Sequence, residues 1–273
     1  MGEWKHLLKI SEVVKNRIDK LFEKKPKDIL SVFLTAGYPH EDDTVKIIRE
    51  LGKKGIDMVE IGVPFSDPLA DGPVIQASST KAIENGITLP KILNQVKEAR
   101  AEMPEMPFIL MGYLNPIMQY GYSNFFHDAM EAGADGVIIP DLPFDVYLQD
   151  FKELSRKYDL PVIMLITPET SEERIRLIDK ECDGFIYMVS SASTTGAKDR
   201  FTDEQLSYFR RINNMDLKHK RLIGFGISNP STLREAWENS SGAIIGSFFI
   251  KNLEENATIK KAVECFTTAL GLD

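Results

Sequence analysis

The chain has 273 residues, with 33 Lys+Arg against 41 Asp+Glu for a formal charge of −8, and is 43% hydrophobic and 27% charged. Those proportions suit a globular chain with a sizeable core and exclude a disordered polyelectrolyte. The acidic balance argues against nucleic acid, whose phosphate backbone needs a basic surface, and no stretch approaches the ~20 apolar residues of a membrane span.

The opening run MGEWKHLLKISEVVKNRI mixes charged and apolar residues on a helical period, with no uninterrupted apolar stretch of the kind a secretory signal needs. A helix over Glu12–Phe22 and a cytoplasmic location are the expectations. The two cysteines, Cys182 and Cys265, lie far apart and read as free thiols. The four histidines, His6, His40, His127 and His219, have no paired ligand spacing, so no metal site is expected.

Further along, short β-branched apolar runs alternate with longer amphipathic stretches, the pattern of a parallel sheet covered by helices. The expected strands are Ile29–Thr35, Met58–Gly62, Phe108–Gly112, Gly136–Pro140, Val162–Ile166, Gly184–Val189, Arg221–Gly224 and Ala243–Ile245. Helices are expected over Glu41–Lys54, Leu89–Met103, Ser123–Ala132, Asp145–Tyr158, Ser171–Lys180, Asp203–Asn213 and Ser231–Asn239. Thr88, Ser123, Ser171 and Asn229 are candidate caps, the last with Pro230 at the first helical position. Eight β/α units in this length favour an α/β fold of the (β/α)8 TIM barrel type, one domain spanning 1–273, with the N-terminal helix closing its bottom. A doubly wound open sheet is the alternative, but no G-x-G-x-x-G follows the first strand.

Barrel chemistry sits beyond the C-terminal ends of the strands. The second strand, Met58-Val59-Glu60-Ile61-Gly62, embeds a carboxylate among apolar residues, an environment that raises its proton affinity and suits a general acid/base. Asp71 follows after a loop stiffened by Pro64, Pro68 and Pro73 and could face the same cavity. The bland alternatives are a structural salt bridge for Glu60 and turn formation for Asp67 and Asp71. At the other end, strand seven enters Gly224-Phe225-Gly226 and strand eight enters Gly246-Ser247. A helix starting near Ser247 would aim N–H groups at an anion, and barrels often bind phosphate after strands seven and eight. The small polar stretch Ser190–Arg200 reads as a lid or as a plain surface loop. Phe33, Tyr113 and Tyr187 would line the pocket if they face it, and otherwise are core.

These residues resemble a known family. The run VEIGVPFSDPLADGPVIQ (Val59–Gln76) is similar to the signature of the tryptophan synthase α subunit. The similarity continues through FLTAGYP, MGYLNPI, PDLP, FIYMVSSASTTG, GFGIS and IIGS, from about residue 18 onward. It implies a (β/α)8 barrel that cleaves indole-3-glycerol phosphate into indole and glyceraldehyde 3-phosphate, a lyase step of tryptophan biosynthesis. By position, Glu60 matches the general acid/base and Asp71 the carboxylate that holds the indole N–H. Tyr187, Phe33 and Tyr113 match pocket residues, and Gly196, Gly226, Gly246 and Ser247 match phosphate-binding positions. Thr195 matches the lid threonine that positions the aspartate. The resemblance implies no cofactor in this chain, with pyridoxal phosphate in a β subunit that completes an α2β2 complex and communicates through Ser66–Leu69 and the lid. This chain departs from the family at Ser193, where glycine is usual, and in a longer stretch before residue 18, residues 1–17, which carries no assigned role. Competing readings are another phosphate-binding barrel enzyme and a catalytically silent chain that only activates the β partner.

Overall fold

A run such as Ile29–Thr35, buried along its whole length, satisfies its backbone only between neighbouring strands. In the computed structural model, which describes residues 16–190 and 200–272, the eight expected runs form strands that pair in this way. The strands are β1 (Ile29–Thr35), β2 (Met58–Gly62), β3 (Phe108–Met111), β4 (Gly136–Ile138), β5 (Val162–Ile166), β6 (Phe185–Val189), β7 (Lys220–Gly224) and β8 (Gly242–Ile245). Each pairs in parallel with the next and β8 returns to β1, closing the barrel. The expected barrel forms and the open sheet is excluded. The strand ends at Gly112, Ile139 and Pro140 fall outside the ladder, because each chain turns there toward the rim.

The covering helices begin with α1 (Arg17–Lys24), α2 (Thr44–Lys53), α3 (Pro73–Glu84), α4 (Leu89–Glu102), α5 (Leu114–Tyr120) and α6 (Tyr122–Ala132). A short α7 (Phe144–Val146) passes through a π-helical turn at Tyr147–Phe151 into α8 (Lys152–Lys157), so the expected helix over Asp145–Tyr158 is present but underwound in the middle. The remainder are α9 (Glu172–Glu181), α10 (Asp203–Asn213), α11 (Pro230–Asn239), α12 (Ser247–Glu255) and α13 (Ile259–Ala269). Two of the expected caps hold. The Ser171 side chain accepts from the Arg174 N–H, and Asn229 accepts from Ser231 and Thr232 with Pro230 at the first helical position. Two differ. Thr88 sits at the cap of α4 without a side-chain bond, and Ser123 lies inside α6, which starts one residue earlier behind Gly121 at φ 91°. Gly121 wins because it alone takes the left-handed conformation that ends α5 and opens α6 at one residue.

Bulky side chains of the barrel interior are seated on glycines of adjacent strands. A Cβ on Gly62 would stand 2.7 Å from Phe33 Cε2, and one on Gly224 would lie 2.5 Å from Tyr187 Cζ. At the opposite end, Gly136 makes room for Ile109 and for Ile18 of α1. Ile18 and Phe22 are buried, and the Phe22 ring meets Phe185 edge-on at 6.2 Å. α1 therefore closes the N-terminal end of the barrel, as expected, although it opens at Arg17, where the Asn16 side chain caps the Ile18 N–H, and runs to Lys24 rather than spanning Glu12–Phe22. Arg17 fixes it by pairing with the buried Asp135, which Arg100 also holds.

Candidate active site

The period-two alternation of a strand points Ser31, Phe33 and Thr35 of β1 to the same side, and β1–β2 register sets Phe33 opposite Glu60. Glu60 is fully buried on that inner face. Its Oε1 accepts a hydrogen bond from Ser31 Oγ at 3.2 Å, and Oε2 is buried without a hydrogen-bond partner among the described residues. Burial among apolar neighbours pushes the carboxyl up to about 8, with the Ser31 hydrogen bond acting in the opposite, weaker sense. Glu60 is thus largely protonated at neutral pH yet close enough to its midpoint to give and regain a proton.

Asp71 occupies the loop between β2 and α3. Its Oδ2 accepts from the Tyr113 hydroxyl at 2.8 Å, and that hydroxyl in turn accepts the Ala70 N–H at 3.0 Å. The Gln76 amide caps the Asp71 carbonyl at 2.8 Å, tying the loop to the first turn of α3. Phe65 packs on the Tyr113 ring at 5.2 Å between centroids. Burial raises the Asp71 carboxyl above the ordinary range while the Tyr113 hydroxyl opposes that rise. Tyr187 projects from β6, register-paired with Leu165 and Leu222, and its hydroxyl is driven far up by burial and then by the charges of Glu60 and Asp71. Tyr187 thus feels the charge of both carboxylates, one on β2 and one in the Asp71 loop.

Across the mouth, Phe225 and Gly226 turn consecutively through φ 70° and 75° after β7. Phe225 presents its ring edge-on to Tyr187 at 6.3 Å. Ser190 Oγ donates to the Phe225 carbonyl at 2.9 Å and holds this turn against the end of β6. Gly246 is the N-cap of α12, whose first residue is Ser247, and a Cβ there would touch Phe33 at 3.4 Å. The helix N-terminus, with its unpaired N–H groups, therefore opens beside the aromatic wall and suits an anion.

The structure thus brings Glu60, Asp71, Phe33, Tyr113, Tyr187, Gly226, Gly246 and Ser247 to the C-terminal end of the barrel. Thr195 and Gly196, with Ser193 and most of the stretch read as a lid, lie outside the described residues, as do residues 1–15. Sequence reasoning gave Ser31 and Gln76 no role and took Ser190 only as the start of the stretch read as a lid or surface loop. Ser31 left one signal, a polar residue two before Phe33 inside the mostly apolar ILSVFLT.

A family model described as "Tryptophan synthase alpha chain" matches residues 20–270. The chain belongs to the tryptophan synthase alpha chain family. Its relatives include the alpha chain of Parabacteroides distasonis, 56% identical over 93% of this chain and 99% of that one. The alpha chain of Flavobacterium psychrophilum is 54% identical over 88% of this chain and 94% of its own. Among solved structures, the tryptophan synthase subunit alpha of Legionella pneumophila superposes with a TM-score of 0.84 at 35% identity, covering 94% of this chain and 97% of that one. Tryptophan synthase alpha chains thus share both the sequence and the barrel described above.

Proposed function

We propose that this chain, acting as one barrel domain, cleaves indole-3-glycerol phosphate to indole and glyceraldehyde 3-phosphate by a retro-aldol step, with Glu60 as acid/base and Asp71 as the carboxylate on the ring nitrogen. The observation that carries the reading is the buried Glu60 carboxyl, held by one oxygen and without a hydrogen-bond partner at the other among the described residues. The bond from indole C3 to the side chain cannot break until C3 is protonated, because only then can the ring accept the departing electron pair. Glu60 donates that proton and becomes a carboxylate. Positive charge spreads to the ring N–H, where ionised Asp71 stabilises it. As the C3–carbon bond breaks, its electrons restore the aromatic ring and the side-chain hydroxyl proton returns to Glu60 while the carbonyl forms. The residue ends the cycle protonated, as it began.

Phe33, Tyr113 and Tyr187 would hold the flat heterocycle, with Thr195 above it. The phosphate would lie against the turn at Gly226 and the α12 N-terminus at Gly246 and Ser247, joined by Gly196. Neither step calls for a cofactor in this chain. The pyridoxal phosphate implied by the resemblance would sit in a β subunit, within an α2β2 assembly in the cytoplasm. Support for a partner on this rim comes from two apolar side chains left in the open, Leu69 at 95% exposure beside Asp71 and Met118 at 55% on α5.

The test is indole release from indole-3-glycerol phosphate with a β subunit present. Glu60→Gln and Asp71→Asn are each expected to lose about 10²-fold or more in turnover. Near wild-type turnover by Glu60→Gln overturns the mechanism, and full activation of a β subunit by a chain that releases no indole would favour the silent-subunit alternative.

A further inference from the structure

A carboxylic acid that must deliver a proton to one carbon has two oxygens, and only one of them can face that carbon. In Glu60 the two are made unequal by the protein. Oε1 is engaged by the Ser31 hydroxyl at 3.2 Å, while Oε2 finds no partner among the described residues. Ser31 is itself fully buried, on the strand hydrogen-bonded to β2 and on the same inner face as Phe33. No other hydrogen bond of its hydroxyl competes with the one to Glu60 among those described. A hydroxyl that donates to Oε1 makes that oxygen the carbonyl-like acceptor of the acid, so the acid's own hydrogen resides on Oε2.

We propose that Ser31 is a positioning residue that anchors Glu60 through Oε1 and thereby keeps the transferable proton on Oε2, the oxygen left unengaged. The proposal rests on the acid/base reading of Glu60. In the carboxylate stage of the cycle the same hydroxyl donates to the charged oxygen, so Ser31 also steadies the form that must recover a proton from the side-chain hydroxyl. β1 supports the second carboxylate indirectly as well. Thr35 shares a 2.7 Å hydrogen bond with Ser78 of α3, the helix whose first turn ties down the Asp71 carbonyl through Gln76.

Among the described residues, the other titratable groups toward Glu60 are Tyr187 from β6 and, beyond it, Asp71 with its Tyr113 partner. Neither tyrosine ionises in the working range, since burial raises both hydroxyls. The alkaline limb of the turnover profile, on which protonated Glu60 is lost, therefore reports on Glu60 itself. Removing a donor from the charged form raises proton affinity.

The experiment compares wild type, Ser31→Ala, Ser31→Thr and Glu60→Gln for indole release across pH with a β subunit present. Ser31→Ala is expected to lower turnover at neutral pH by roughly tenfold and to move the alkaline limb upward by about half to one pH unit. Ser31→Thr keeps the hydroxyl while adding volume, and is expected to keep the wild-type limb and most of the turnover. A purely packing role predicts the reverse order, with the larger residue worse and no change in the limb. An unmoved limb in Ser31→Ala, or one equally displaced in Ser31→Thr, overturns the proposal while a silent Glu60→Gln leaves the acid/base reading standing. An active Glu60→Gln removes both. The two variants disturb the core in opposite senses, so one that folds poorly leaves the other to decide.

Discussion

Glu60 keeps its proton because ionising it would place a charge in a fully buried position, where the hydrogen bond from the Ser31 hydroxyl compensates only weakly. That local fact sets a stability signature. The folded carboxyl binds a proton until about pH 8, against a reference near 4.5, so between those values the folded state holds a proton that the unfolded chain has released. Stability supplied by this group is therefore complete at acid pH and declines as pH rises through that window, levelling off above pH 8 at a cost on the order of 5 kcal/mol. Glu60→Gln abolishes the titration. It is expected to melt at higher temperature than wild type at pH 8.5 and to lose that advantage toward pH 5, as read by calorimetry at both values. A stability difference independent of pH would show that Glu60 is not the buried neutral acid described here. An acid in an apolar strand can be read from the chain alone, as Glu60 was. The hydrogen bond that orients it could not, because Ser31 meets Glu60 only once the register between two strands is set, and twenty-nine residues separate them.

Strands were the most readable elements, since an apolar run bounded by polar turns has few other places to go in a β/α chain. Helices were less so. α3 went unpredicted because its covered face carries Ser78 and Ser79 beside Ile75 and Ala82, which blurs the apolar period. α5 is only seven residues long and begins directly off the β3 loop, and α13 follows the last strand, beyond the alternation that revealed the others. The glycines inside the strands were a further hidden signal. Gly224 has no left-handed φ to explain it; its purpose is steric, since a methyl there would fall within the envelope of the Tyr187 hydroxyl and 2.5 Å from Cε1 and Cζ of the ring. The ring is rigid and buried, so it must swing as a whole. Gly224→Ala is expected to cost about 1–3 kcal/mol in denaturant unfolding and to lower kcat/KM by displacing the pocket wall. Paired with Tyr187→Ala, the stability penalty of the alanine should largely vanish, because the clash has gone. A full penalty in the double variant would place the strain elsewhere than on Tyr187.

At the scale of the whole molecule the barrel separates two tasks by its two ends. Glu60, Asp71 and the α12 N-terminus gather at the C-terminal end of the strands, while α1 plugs the other with Ile18 against Gly136 and Phe22 against Phe185. That division was foreseeable from eight β/α units and a preceding amphipathic helix, since a barrel bottom open to water would leave apolar strand ends uncovered. Its anchoring was not. The Arg17–Asp135–Arg100 cluster joins Asp135 to partners 118 and 35 positions away, and spacing along the chain carries no trace of it. The two-ended arrangement makes a sharp demand. Phe22→Ala empties a buried site at the closed end, and such truncations cost about 3–5 kcal/mol through lost transfer energy and the residual cavity. For a chain of this size that corresponds to a drop in Tm of roughly 6–20 °C. The catalytic end lies across the packed interior, and interior layers this dense hold their shape when a cavity opens beyond them. At 20 °C, well below the lowered transition, indole release by Phe22→Ala should match wild type in both kcat and KM. A variant that melts normally but loses turnover would mean that the closed end tunes the chemistry, and the assignment of α1 to stability alone would fail.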